Sequence, residues 1–94
     1  MNTKKSHALS MNLVAQLKAI LERPKLDLYD MHEFIDDLDF LGQTYDTPSN
    51  AEARNLMKDY IRTRDLKLVQ SLRDSVFALG QEVYLIITPR STPV

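Results

Sequence analysis

The chain has 94 residues, of which 44% are hydrophobic and 27% are charged, and its net charge is -1. These values are typical of one soluble globular domain, and the low net charge gives no overall attraction to nucleic acid or anionic lipid. Because cysteine is absent, disulfides and thiolate metal sites are excluded. The longest apolar run, Val83 to Ile87, is too short to span a membrane. The sequence therefore predicts a cytoplasmic protein without a membrane partner.

The first predicted helix follows a polar N-terminus. Residues 1–8 are expected to form a disordered tail, since polar chain ends seldom pack. From Leu9 to Leu21 the apolar residues recur at helical spacing. The helix is expected to end before Arg23 and Pro24, because the residue that precedes a proline disfavours the helical conformation.

The second predicted helix is acidic. Asp27 is a suitable N-cap, apolar residues recur at steps of three and four from Leu28 to Leu41, and Gly42 is a plausible helix stop. Between Asp27 and Phe40 there are six acids and no base. One border of the apolar face carries an acidic stripe that consists of Asp30, Glu33 and Asp37.

The third and fourth predicted helices are basic. Thr47, Pro48, Ser49 and Asn50 offer several starts for the third helix, and Ser49 with Glu52 has the spacing of a capping box. A break at Thr63 to Asp65 separates it from an amphipathic fourth helix that ends at Gly80. Between Arg54 and Arg73 there are six bases and two acids. A basic stripe at spacing i, i+4, i+8 consists of Arg54, Lys58 and Arg62.

The C-terminal segment differs in composition from the predicted helices. Residues 81–94 are expected to form an extended tail or linker, so the helical bundle would span residues 9–80. Val83 to Thr88 is β-branched and aromatic, which favours a strand. In a helical domain such a strand has no partner, so an extended segment on the core, an irregular last helix and the start of a further element all remain open.

No set of residues points to chemistry. His7 and His32 are the only histidines, and His32 with Asp36 supplies too few ligands for a metal site. The acidic stripe lies on a helix and lacks the glycine-bearing turn of a calcium loop. The chain contains neither a G-x-S-x-G elbow nor a glycine-rich phosphate loop. The sequence therefore predicts no enzyme, no catalytic or cofactor-binding residue, no cofactor and no metal.

The segregation of charge by helix suggests protein docking. A molecule with one acidic and one basic face can stack head to tail on another copy, and opposite potentials raise association rates. One alternative is a small helix-turn-helix regulator or antitoxin that binds DNA, although the acidic helix would repel phosphates. Another is a structural subunit whose charges form intramolecular ion pairs. The predicted partner-binding residues are Asp30, Glu33, Asp37, Arg54, Lys58 and Arg62.

About half of the chain resembles a known family. Leu41, Gly42 and Tyr45 precede a helix that carries Ala53, Arg54, Leu56 and Tyr60, and a leucine-bearing helix follows at Leu66 to Leu72. Over residues 26 to 76 this arrangement resembles the bacterial effector-associated domains, which are small helical adaptor modules similar to the death-fold superfamily. The chain departs from the family at Thr63 to Asp65, where a glycine is usual.

The resemblance implies both a fold and a role. The expected fold is an all-α, death-fold-like antiparallel bundle of five to six helices in Greek-key order. The expected role is that of an adaptor in bacterial conflict or immune signalling, which recruits an effector such as a protease. Its partner would be another death-fold-like domain, either a second copy in a homo-oligomer or a copy fused to the effector. The resemblance transfers no catalytic residue.

Overall fold

The computed structural model describes the backbone of residues 3–87 and the side chains from Ala8 onward. This part of the chain is entirely helical, which confirms the all-α prediction. It contains four helices rather than the five to six that were expected, because the C-terminal residues lengthen the last helix instead of forming a new one. The helices are α1 (Thr3–Leu21), α2 (Leu28–Thr44), α3 (Pro48–Thr63) and α4 (Lys67–Ile87).

Consecutive helices are antiparallel. The hydroxyl of Ser49, at the start of α3, donates to the Glu82 carboxylate near the end of α4 over 2.6 Å. The guanidinium of Arg73, in the first half of α4, donates to the carbonyl of Leu21 at the end of α1 over 3.3 Å. Each helix packs against two others, and the diagonal pairs α1–α3 and α2–α4 make no contact within residues 3–87. This arrangement is an up-and-down four-helix bundle rather than the expected Greek key.

All four helices contribute to one hydrophobic core. Leu17, Phe34, Met57 and Leu79 are each fully buried and come from different helices. Sequence periodicity correctly places the core face of each helix, because side chains three and four positions apart lie on the same side. Three residues of the predicted apolar stripes lie instead on the surface, and these are Ala19, Leu28 and Leu66.

The start of α2 was predicted correctly, but its end was not. Asp27 is the N-cap and forms a capping box with Asp30: its carboxylate accepts from the Asp30 N–H over 2.8 Å, and that of Asp30 accepts from the Asp27 N–H over 3.2 Å. Gly42 does not stop the helix, which continues to Thr44. The glycine remains helical, and a Cβ at this position would meet the Asn50 side chain of α3 at an ordinary van der Waals distance of 3.5 Å.

Of the predicted starts of α3, the structure uses Thr47 and Pro48 rather than the capping box of Ser49 and Glu52. Thr47 is the N-cap and accepts from the Asn50 N–H over 3.3 Å, and Pro48 occupies the first helical turn. Proline is favoured there because its missing N–H would have no partner in the helix. Ser49 is therefore already helical, and its hydroxyl bonds Glu82 instead of closing the predicted capping box.

Both predicted tails are partly helical. Helix α1 begins at Thr3 rather than near Leu9, since residues 3–8 contain no proline or glycine that would end it. Residues 81–87 continue α4. Val83 is fully buried four residues after Leu79, so the helical period of the core prevails over the β propensity of this segment. Residues 88–94 of the predicted tail lie outside the described residues. None of the described helices is long and apolar enough to cross a membrane.

Candidate protein-interaction surface

Two acids of the acidic stripe are engaged inside the molecule. Asp30 is buried, forms an ion pair with Arg23 and closes the capping box of α2. The Glu33 carboxylate accepts from the side-chain amide of Gln16 on α1 over 2.7 Å. Their carboxylates therefore join α2 to α1 and to the loop between α1 and α2. They are not presented together to a partner.

Asp37, the third acid of the stripe, is partly buried. Its Oδ2 atom is inaccessible to water and has no donor among the described residues. Burial, with smaller contributions from the charges of Glu33 and Asp36, raises the pKa of Asp37 to about 6. Desolvation and like charges both disfavour the ionised form, so this carboxyl titrates just below neutral pH.

The basic stripe is also largely neutralised within the chain. Arg54 Nη2 lies 2.7 Å from Asp39 Oδ1, which joins α3 to α2. Arg62 Nη2 lies 3.2 Å from Asp59 Oδ1, one turn earlier on the same helix. Lys58 is exposed and makes no ion pair with any residue of the described part. Asp30, Arg54 and Arg62 thus form ion pairs within the molecule, whereas Glu33, Asp37 and Lys58 form none among the described residues.

The geometry of α3 and α4 bears on the helix-turn-helix interpretation. The predicted break is present as a three-residue turn, in which Arg64 adopts a left-handed conformation with φ 56°. Asp65 then caps α4 by accepting from the Lys67 N–H over 3.0 Å. The two helices run side by side and antiparallel up to the contact between Ser49 and Glu82, whereas the helices of a helix-turn-helix cross at a steep angle.

Among the side chains that the structure describes, no candidate metal ligands come together as a group of three or more. His32 lies exposed on α2. The side chain of His7 lies outside the described part.

An apolar surface lies between α1 and α4. This α1–α4 groove has a volume of about 380 Å³, with Met11 on α1 and Phe77, Tyr84 and Leu85 on α4 as its apolar lining. Phe77 is 59% exposed, Tyr84 56% and Leu85 71%. Isolated exposed apolar residues are common, but a contiguous patch marks an interaction site.

The groove is nearly uncharged. Among the described side chains, Lys18 is the one charged residue in its lining, and the ammonium lies 6.0 Å from the centre of the Phe77 ring, within the range of a cation–π interaction. The acid of this part of α4, Glu82, points away from the groove because it bonds Ser49 on α3. The exposed aromatic side chains therefore lie on a surface that a second apolar surface can cover at little cost in desolvated charge.

The sequence contains a signal for this groove that depends on the length of α4. Phe77, Gln81, Tyr84 and Leu85 lie at i, i+4, i+7 and i+8, which places them on one side of a helix. These four residues share a face only if the helix continues beyond Gly80. Because Val83 to Thr88 favours a strand, the predicted helix ended at Gly80 and the shared face was not predicted.

In comparisons with protein-family models, curated proteins and solved structures, no match to this chain was found. The resemblance to effector-associated domains therefore stays a prediction.

Proposed function

We propose that this chain is a protein–protein interaction module that associates with a second copy of itself through the α1–α4 groove. The observation that supports the proposal is the presence of an exposed aromatic side chain and an apolar hollow on one uncharged helix face. Two copies related by a two-fold axis present identical surfaces to each other, so a single face that carries both features is self-complementary.

The spacing on α4 fits this arrangement. Phe77, Gly80, Gln81 and Tyr84 lie at i, i+3, i+4 and i+7, the four positions that enclose a hole on a helix surface in knobs-into-holes packing. Gly80 itself is buried against Val14 and Lys18 of α1, so α1 closes that hole on one side. When two α4 helices lie antiparallel across the axis, Phe77 of each copy inserts into the hole of the other.

The energy available fits a weak dimer. Burying the exposed parts of Phe77, Tyr84 and Leu85 in both copies stabilises the complex by roughly 6–9 kcal/mol. Association costs at least about 4 kcal/mol in lost translational and rotational freedom. The difference of at most about 2–5 kcal/mol corresponds to a dissociation constant of roughly 0.2–30 mM.

Self-association is the part of the expected adaptor role that we keep, and we place its contact surface elsewhere on the molecule. Homotypic association agrees with what the family resemblance implies, but the groove replaces the charged stripes as the contact. A death-fold arrangement, the recruitment of an effector and a place in bacterial conflict signalling have only the sequence resemblance as support. The DNA-binding alternative loses its main argument, because α3 and α4 form an antiparallel hairpin.

The mass of the particle in solution tests the proposal. In sedimentation equilibrium over a wide concentration range, the mass of the unaltered chain should rise from monomer towards dimer. Phe77→Asp should remain monomeric, because each interface would then bury two unpaired charges. Phe40→Asp is the matched control, since Phe40 is a similarly exposed aromatic residue on α2, and it should associate like the unaltered chain. A chain that remains monomeric throughout, or two variants that behave alike, would show that the proposal is wrong.

A further inference from the structure

A second surface lies at the end of the bundle where α1 and α3 terminate. It is an open cavity of about 700 Å³, hereafter the basic basin, formed by the α1–α2 loop, the α3–α4 turn and the adjoining helix ends. Four cationic side chains line it, and among the described residues no aspartate or glutamate does. Its cations are Arg23, Lys25, Arg64 and Arg73.

Most of this positive charge has no carboxylate partner. Arg23 is paired with Asp30. Arg64 Nε donates to the carbonyl of Ile61 over 3.2 Å, and Arg73 Nη2 donates to the carbonyl of Leu21 over 3.3 Å. Both acceptors are neutral, so each guanidinium keeps its charge and several free N–H donors.

Lys25 adds a third unpaired charge, since it forms no ion pair within the described part. Three positive charges around one concave surface produce a potential that attracts an anionic group.

The backbone at Arg64 supports a role beyond folding. Arg64 occupies the left-handed position that ends α3, with φ 56° and its N–H bonded to the Tyr60 carbonyl. Glycine is the usual residue there because a side chain is strained in this conformation. An exposed arginine at this position lowers the stability of the turn and places a cation at the rim of the basin. Strained residues of this kind are concentrated at binding sites.

The walls of the basin are apolar as well as basic. Leu66 is 74% exposed, and Val69 and the mostly buried Tyr60 lie beside it. A small inorganic anion would pair with the cations and would leave Leu66 exposed to water. A peptide with carboxylates on either side of an apolar side chain would use both features.

We infer that the basic basin binds an acidic segment of a partner protein, in which carboxylates flank an apolar side chain. The complementarity of charge gives the segment its orientation and speeds its capture. The apolar side chain covers Leu66 and Val69. This site lies on residues other than those that form the α1–α4 groove, so it does not depend on self-association.

Fluorescence anisotropy tests the inference with a labelled peptide in which leucines are spaced among glutamates. Binding should weaken as salt is added, because exposed charges are screened. Charge reversal in Arg64→Glu combined with Arg73→Glu should reduce the affinity by about tenfold or more. Lys58→Glu is the matched control, because it removes an exposed cation that does not line the basin, and it should bind as the unaltered chain does. Circular dichroism melting of each variant confirms that it is folded.

Three comparison ligands complete the test. A glutamine–leucine peptide should not bind, and polyglutamate without leucine should bind more weakly than the mixed peptide. Equal binding of polyglutamate or of duplex DNA would show a general anion site and would overturn the inference. Loss of peptide binding in Lys58→Glu to the same extent as in the basin variant would overturn it as well, as would the absence of salt-sensitive binding.

Discussion

The guanidinium of Arg54 on α3 lies 2.7 Å from the carboxylate of Asp39 on α2. The basic helix and the acidic helix are therefore neighbours in one molecule, and their charges meet within the bundle. Segregation of charge by helix, which suggested docking between molecules, has a simpler cause in the antiparallel packing of α2 against α3. The surface that we propose for self-association is instead the α1–α4 groove, where Lys18 is the one charged residue among the described side chains of the lining.

The pair of Arg54 and Asp39 should contribute little to stability. Both side chains are more than a third exposed, and pairs of this kind are worth about 0–1 kcal/mol. A double-mutant cycle with Arg54→Ala and Asp39→Ala, measured by urea unfolding, should give a coupling energy of about 0.5 kcal/mol that falls as salt is added. A coupling energy that does not change with salt would contradict a screened surface pair.

Asp37 should make the stability of the bundle depend on pH. Its pKa is about 6 in the folded state against an ordinary value of 3.8. The folded state thus binds the proton more tightly, and the stability that this provides is complete below pH 3.8 and is lost as the pH rises through about 6. Asp37→Asn should increase the free energy of unfolding at neutral pH by about 1 kcal/mol, a value that allows for solvent screening.

The measurement for Asp37 is a series of urea unfolding curves from neutral pH to about pH 4. The advantage of the asparagine variant should shrink as the pH falls. Asp36→Asn on the exposed side of the same helix is the control and should have a smaller effect. An advantage of Asp37→Asn that is constant with pH would show that proton binding at Asp37 is not its cause.

The two glycines should respond differently to alanine. A Cβ at Gly42 would meet the nearest atom of Asn50 at 3.5 Å, whereas at Gly80 it would meet Val14 Cγ1 at 3.1 Å. Gly42→Ala should therefore stabilise the bundle by about 0.5–1 kcal/mol through helix propensity. Gly80→Ala should fail to do so, because the stiff, buried Val14 resists displacement.

Thermal melting of both alanine variants checks this contrast. Val14→Ala combined with Gly80→Ala should recover part of the propensity gain, measured relative to Val14→Ala alone. Equal stabilisation by Gly42→Ala and Gly80→Ala would mean that α1 and α4 are not in close contact at this point.

Arg64→Gly should stabilise the fold. Glycine adopts the left-handed conformation without the steric cost that arginine incurs, and the expected gain in the free energy of unfolding is about 1 kcal/mol. Urea unfolding measures it, with Arg62→Gly as the contrasting variant, which should destabilise α3 because Arg62 is helical. If Arg64→Gly is instead destabilising, the turn is not strained and one argument for the basic basin is lost.

Several features that local sequence decides were predicted correctly, although the helix stop at Gly42 and the capping box at Ser49 were not. The Asp27 cap, the break at Thr63 to Asp65 and the core face of α2 depend on residues within a few positions of one another. The partners of Asp30 and Arg54 were not predictable, because periodicity gives the face of each helix but not the helix that packs opposite it. The end of α4 was wrong for the same reason: local β propensity at Val83 lost to packing against a core that only the tertiary structure supplies.

The basic basin could not be predicted from any single helix. Arg64 and Arg73 were recognised as members of a basic set, but Arg23 and Lys25 lie about forty residues earlier in the chain. The four cations come together only because the turn between α3 and α4 lies beside the loop between α1 and α2.

The position of the self-association surface is tested most directly by the amide chemical shifts of the uniformly ¹⁵N-labelled chain on dilution. At 10.8 kDa the monomer is well suited to such spectra. Between high and low concentration, the account predicts shift changes confined to the α1–α4 groove, from Met11 to Lys18 and from Phe77 to Leu85. Spectra that do not change with concentration, or changes centred on the outer faces of α2 and α3, would contradict it.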